Sequence, residues 1–427
     1  MKNIVVDHLY NNQNIFLTGG AGVGKTTLVN EIIETFEKDS KKIAKLASTG
    51  MAATLINGQT LHSFLEIGIC NNLSELEQSS KIKISKKLKN ILFGISLIII
   101  DEISMISSSL FDLIRFRLLQ AEYKGAVLAV GDFLQLPPVV KGYESVNFAF
   151  ESQAWAKLNF LTIELTKNHR IDDEDFISLL NRIRFGQLDT SSAEILNSFV
   201  KPFTEDLKNF TLLFGKNSSA SSHNKRQLSY IDGDLHIKKC EIIKHDDSVT
   251  DTQVERYLSD SRVMKELELK IGVPVLFTKN SWNHFNGERG VVVNIDERYV
   301  YIRKSDSTIV KLDQSAQHKT IWIEQENEGK KESVEKKLFS VYQYPIVLAF
   351  AITIHKSQGM SIKDLIIETN EIFAPSQFYV ALSRATSQKR LILIKPKRDW
   401  RELVFVDKKA VEFTMENKPR SEILGLL

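Results

Sequence analysis

Apolar and polar positions over the first 165 residues follow two alternating periods. Short apolar runs at 14–18, 42–47, 97–101, 126–131 and 161–165 have the length of buried strands. Between them apolar residues recur at helical spacing, as at Leu28, Ile32 and Phe36. Strands alternating with amphipathic helices predict a parallel sheet with helices on both faces. The pattern breaks at residues 65–92, where a polar stretch ending in a basic run predicts an insertion. Two amphipathic helices follow from about residue 171, then a strand at 209–214 and a helix at 218–230 that open a second α/β unit. Short strands and turns interrupt that unit (GVPVLFTKN, GVVVNID, YVYIRKS, IWIEQ), and their spacing predicts a small barrel. Strands at 365–368 and 390–394, with a helix at 375–383, resume the α/β pattern. The expected division is 1–64 with 91–165, an insertion at 65–90, then 166–270 with 341–427, and a barrel at 271–340.

Composition narrows the class without naming an activity. A chain of 427 residues, 43% hydrophobic and 26% charged, has the make-up of a soluble protein with more than one core. The longest apolar run, residues 91–100, is too short to span a bilayer, and the N-terminus lacks an export signal. A cytoplasmic location and no membrane partner are therefore expected, with nucleoid association if the source is bacterial. Cys70 and Cys240 lie far apart without metal-ligand spacing and are expected to be reduced. A net charge of +3 permits nucleic-acid binding, but any path for it must come from local clusters.

Candidate chemistry begins directly after the first strand. The stretch Gly19–Thr26 fits G-x-x-x-x-G-K-S/T, a loop whose glycines let backbone N–H groups turn toward phosphate oxygens at a helix N-terminus. Gly20, Ala21, Gly22, Val23, Gly24, Lys25, Thr26 and Thr27 are the expected nucleotide-binding residues. Lys25 reaches the β- and γ-phosphates in this reading, and Thr26 offers its hydroxyl to Mg2+. Asp101 and Glu102 end the apolar run LIII, at the strand terminus where open α/β sheets bind ligands. Asp101 is expected to hold Mg2+ and Glu102 to deprotonate a water. Gln135, in GDFLQLPPV beyond another strand, can sense a γ-phosphate; a proline-stiffened loop is the bland alternative.

These stretches carry a family resemblance. DEISM, GDFLQLPPV, TGMAA with TLHSF, IHKSQGM and YVALSRA occur in an order that resembles the petite-integration-frequency (PIF) family, RecD-like helicases of superfamily I, subgroup B. The resemblance implies two recA-like domains that close on ATP, a wedge at 65–90 and an SH3-like barrel at 271–340. It implies Arg170 and Arg384 as catalytic arginines beside Lys25, Glu102 and Gln135, with Gln358 and Gly359 near the nucleotide. Single-stranded DNA would then meet Thr49, Gly50, Met51, Thr60 and His62 from the first domain, and Lys279, Asn280, His355 and Lys356 from the second. ATP and Mg2+ are the implied cofactors. Single-stranded DNA and its junctions with duplex are the implied partners, with a monomer moving 5′ to 3′ on DNA. The alternatives are a relative that clamps DNA without unwinding it and another P-loop enzyme or switch. One departure concerns the base: no glutamine matches the family's adenine reader, because Gln13 lies too near the first strand, so looser nucleotide choice is expected.

Overall fold

The structure, a computed structural model, describes residues 2–48, 52–53, 56, 58–79, 81–139, 145–202, 209–261, 263–327 and 330–417. Helix α1 (Lys2–Tyr10) leads into β1 (Ile15–Gly19), and α2 (Lys25–Lys38) into β2 (Ile43–Ala47) and β3 (Gln59–Thr60). After α3 (Lys86–Gly94) come β4 (Leu97–Asp101), α4 (Ser108–Gln120), β5 (Ala126–Val130) and β6 (Leu161–Leu165). The six strands form one parallel sheet in the order β3-β2-β4-β5-β1-β6. Period-two alternation divides their apolar residues between two faces. Ile15, Leu17, Ile99 and Leu128 pack with Val5, Ile32 and Phe36 under α1 and α2. Phe16, Ile98, Ile100 and Ala129 pack with Phe111, Ile114 and Trp155 on the other face. The segment expected as an insertion contributes Leu65, Ile67, Leu76 and Leu88 to this second core and has no separate one. Buried Arg117 fastens it, donating from Nε to the Leu65 carbonyl at 3.2 Å and from Nη1 to that of Ile82 at 3.0 Å.

The second unit starts with α5 (Glu174–Arg184) and β7 (Thr211–Phe214). A β-rich excursion follows: β8 (His236–Lys239), β9 (Glu241–Lys244), helix α6 (Asp251–Ser261), β10 (Glu266–Leu269), β11 (Pro274–Phe277), β12 (Arg289–Ile295), β13 (Val300–Lys304) and β14 (Ile309–Leu312). It continues through β15 (Ser315–Asn327), β16 (Lys330–Gln343) and β17 (Ile346–Leu348). Then β18 (Ala351–Thr353), β19 (Leu365–Ile367), α7 (Gln377–Leu382) and β20 (Leu391–Leu393) complete a parallel sheet in the order β18-β7-β19-β20.

Two features depart from the expected boundaries. The antiparallel sheet β14-β13-β12-β11-β17 shares its core with Leu267 and Leu269 of β10, so the barrel-like body begins before residue 271. Strands β15 and β16 do not join that sheet; they form a long hairpin that pairs with β9 and reaches the first unit. Lys319 Nζ donates to Ser63 Oγ at 2.6 Å, and Trp322 packs against the first core. The second departure is at the end of the chain, where helix α8 (Lys408–Glu416), expected with the second unit, docks on the first. Ala410 is fully buried there, and the Phe413 ring stacks on Phe150 at 4.2 Å. Among the described residues no helix is long and apolar enough to cross a membrane.

Candidate nucleotide site and nucleic-acid interface

The loop from β1 to α2 needs glycine where it turns. Gly22 and Gly24 have φ of 82° and 88°, and a Cβ on Gly22 would come within 2.8 Å of the Arg170 Cβ. Lys25 begins α2 and curls back, donating from Nζ to the carbonyls of Gly19 at 2.7 Å and Gly20 at 2.9 Å. Burial lowers its pKa, against the opposing pull of Asp132, Glu102 and Asp101.

Those carboxylates arrive from the adjacent strand ends. Asp101 closes β4 and accepts the Glu102 N–H at 2.9 Å. Glu102 has φ of 51°, a left-handed conformation that a non-glycine residue adopts only when its surroundings impose it. Burial, then the nearby Asp101 charge, raises its pKa to about 7, while Lys25 and Arg384 pull it down. Burial also raises Asp101.

Beyond β5, Asp132 is almost wholly buried and takes a two-pronged bond from Arg184 of α5, at 3.0 Å from Nε and 2.9 Å from Nη2. Gln135 Nε2 donates to the same carboxylate at 3.2 Å. Burial alone would raise Asp132; the Arg184 charge and these bonds hold it below the usual carboxylate range.

The second unit closes over the loop. Asn168 Nδ2 donates to the Ala21 carbonyl at 3.1 Å, and the His169 N–H to that of Gly22 at 2.8 Å. The Ala21 N–H donates to the Tyr379 hydroxyl of α7 at 2.9 Å. Arg170 Nη1 donates to the Ser383 carbonyl at 2.8 Å. Arg384 donates to the Val380 and Ser357 carbonyls and to the Ser383 hydroxyl. Among the described residues neither arginine hydrogen-bonds a carboxylate. Burial and the neighbouring Arg170 charge lower Arg384 to about 9, against the pull of Tyr379 and Glu102. The Gln358 Nε2 is also buried, with no hydrogen-bond partner among the described residues. Cations with no hydrogen-bonded carboxylate, beside an orphaned donor, are the complement of a polyanion.

A second cluster lies where the hairpin meets the first unit. A groove of about 560 Å³ is lined by Thr60, His62, Lys81, Arg256, Lys319 and His318, among others. Thr60 caps a short helix by accepting the Ser63 N–H at 3.3 Å, and His62 lies 3.3 Å from Asn71 Oδ1. Lys279 continues the basic path: its Nζ donates to Ser315 Oγ at 2.9 Å, and its charge is felt at His318. Asn280 accepts the Asn286 N–H at 2.8 Å, His355 and Lys356 follow β18, and Gly359 ends that turn. Thr49, Gly50 and Met51 lie outside the described residues.

The PIF1-like helicase profile matches residues 2–194. The ATP-dependent DNA helicase Pif1 of Campylobacter jejuni is 37% identical over 425 residues, spanning 94% of each chain. The chain belongs to the PIF1-like helicase family. Bacteroides sp Pif1 in complex with ADP-AlF4 matches with a TM-score of 0.82 at 25% identity, covering 97% of this chain and 96% of that one. Bacteroides Pif1 bound to ssDNA covers the same shares at the same identity, with a TM-score of 0.64. Within this family member, the sequence patterns left Asp132, Arg184, Asn168 and Tyr379 without roles. Arg184 had a usable signal: it falls on the apolar stripe of α5, four positions after Leu180, where a cation needs a buried partner.

Proposed function

We infer that the chain is an ATP-dependent DNA helicase that hydrolyses ATP between its two α/β units and grips single-stranded DNA along the hairpin groove. The observation that carries the site assignment is the pair of buried Arg384 and half-buried Arg170 beside the Lys25 loop, neither hydrogen-bonded to a carboxylate among the described residues. In this reading the loop amides and Lys25 hold the β- and γ-phosphates. Water attacks the γ-phosphorus, its proton passes to the Glu102 carboxylate, and the bond to the β-phosphate oxygen breaks to leave ADP and phosphate. Arg170 and Arg384 stabilise the charge that develops, an effect worth on the order of 10³–10⁵ in rate. Gln135, joined to Arg184 through Asp132, ties the state of the γ-phosphate to the second unit.

The Thr26 hydroxyl and the Asp101 carboxylate suit Mg2+, which takes one or two protein oxygens and completes its shell with phosphates and water. Bound there, it would offset charge between the β- and γ-phosphates. DNA lies along Thr60, His62, His355, Lys356, Lys279 and Asn280. The Lys81 segment, held by Arg117, faces the duplex junction; a single copy moves 5′ to 3′.

ATP hydrolysis measured with and without oligothymidylate, beside strand displacement from 5′- and 3′-tailed duplexes, tests the reading. Stimulation by DNA and displacement from the 5′-tailed substrate are expected. Absence of stimulation overturns the motor, displacement from the 3′ tail alone overturns the polarity, and full turnover in Arg384→Ala overturns the two-unit site.

A further inference from the structure

The loop between β11 and β12 exposes two aromatic rings that no motif accounts for. Trp282 is 94% exposed and Phe285 69%, and among the described residues neither has an aromatic or cationic ring partner. Exposed rings usually sit on yielding loops, but this one is braced on either side of Trp282. The Ser281 N–H donates to the His284 carbonyl at 2.8 Å, and the His284 ring stacks on Phe277 at 4.1 Å. The Phe285 N–H is held by the Glu288 carboxylate at 3.0 Å, and the Asn286 N–H by Asn280. Gly287, at φ of 89°, lets the loop press against Ser361, where a Cβ would come within 2.5 Å of a backbone oxygen.

We propose that Trp282 and Phe285 form a stacking platform for bases of single-stranded DNA, extending its path from the His355–Gly359 turn onto the barrel. This rests on the helicase reading above and adds a contact of a different kind. Three arguments select a nucleobase as the occupant. The loop is continuous with the DNA path: Asn280 ties it, and the Ser361 N–H donates to the Asn286 carbonyl at 3.4 Å. A fixed backbone presenting exposed rings has already met the ordering cost that a stack demands. Two rings also offer far less area than the roughly 800 Å² per partner of a stable protein interface, but enough for one or two bases. Stacking accepts any base, which suits a protein that must read every sequence it crosses.

Oligothymidylate titrated into the full chain without nucleotide tests this by two readouts, anisotropy of a labelled oligonucleotide and intrinsic tryptophan fluorescence. Trp155 and Trp400 are buried and Trp322 packs on the first core, so quenching should come from Trp282. Wild type should bind with quenching, and Trp282→Phe should bind nearly as well with the quenching lost. Trp282→Ala and Phe285→Ala should each bind about 10-fold more weakly, the order of one base stack, with thermal unfolding unchanged. If wild type binds without quenching and Trp282→Ala binds equally tightly, the platform is overturned while the helicase reading stands. If wild type does not bind oligothymidylate at all, both fall.

Discussion

In the proposed hydrolysis, Glu102 is the residue held ready for proton transfer. Its carboxylate, raised to about 7 by burial and Asp101, accepts a proton only when ionised, a state that fills as pH rises. Turnover should therefore climb between pH 6 and 8 and level off above. Glu102→Gln should lose that limb along with about 10²–10⁴ in kcat while still binding ATP, as a filter-binding assay would register. A retained pH limb in the variant would assign the titration elsewhere. Asp132 makes the opposite use of burial, since its charge is kept by Arg184. Asp132→Ala should lower stability by about 3 kcal/mol, read from the urea midpoint, because it leaves the buried Arg184 guanidinium with Glu164, at 3.6 Å, as its remaining carboxylate partner. Adding Arg184→Met should restore most of the loss. The Lys25 loop stands out locally by its glycine spacing, and the acids Asp101 and Glu102 by their place at the end of an apolar run, read together with that loop. Arg184 and Tyr379 do not, because their meaning lies in residues more than 50 and more than 350 positions away.

At the level of elements, apolar runs located eight of the parallel strands to within a residue or two, since a strand buried on both faces must be continuous in Ile, Leu and Val, but they gave no sign of the short β3 and β18. The β15–β16 hairpin was far less legible. Its residues pair along 13 positions, yet charged and polar side chains interrupt the apolar alternation that announces a strand. Helix α8 had a clear apolar stripe, but periodicity says that a face is buried and not which core receives it. Its anchor is the aromatic cluster of Phe413 with Phe150, Phe133 and Trp155. Phe413→Ala should cost about 2 kcal/mol in a denaturant titration, less than a fully enclosed phenylalanine because this ring is partly exposed. No loss would mean that the helix leaves the first unit in solution.

On the scale of the whole molecule, the Tyr379 hydroxyl occupies a loop amide that a phosphate oxygen would also seek. Tyr379→Phe should free that N–H and tighten ADP binding by about 3- to 10-fold, the worth of one hydrogen bond, measured by calorimetry. Unchanged or weaker binding would mean the hydroxyl supports the nucleotide. The match to Bacteroides Pif1 falls from a TM-score of 0.82 with ADP-AlF4 to 0.64 with ssDNA at the same identity.

The return of α8 ties the two units together a second time. Among the described residues the backbone passes between the units twice, once from Leu165 in the first to Ile171 in the second, and once where Phe405 packs on the second core and Val406 on the first. Two fixed crossings define a line, as two pins define the axis of a door. Rotation of the second unit about that line keeps both crossings in place, whereas sliding or twisting would strain one of them. A protease cut at either crossing should leave the two pieces associated under native conditions, and should replace the hinged swing with a loose tether, so that hydrolysis continues without directed movement along DNA.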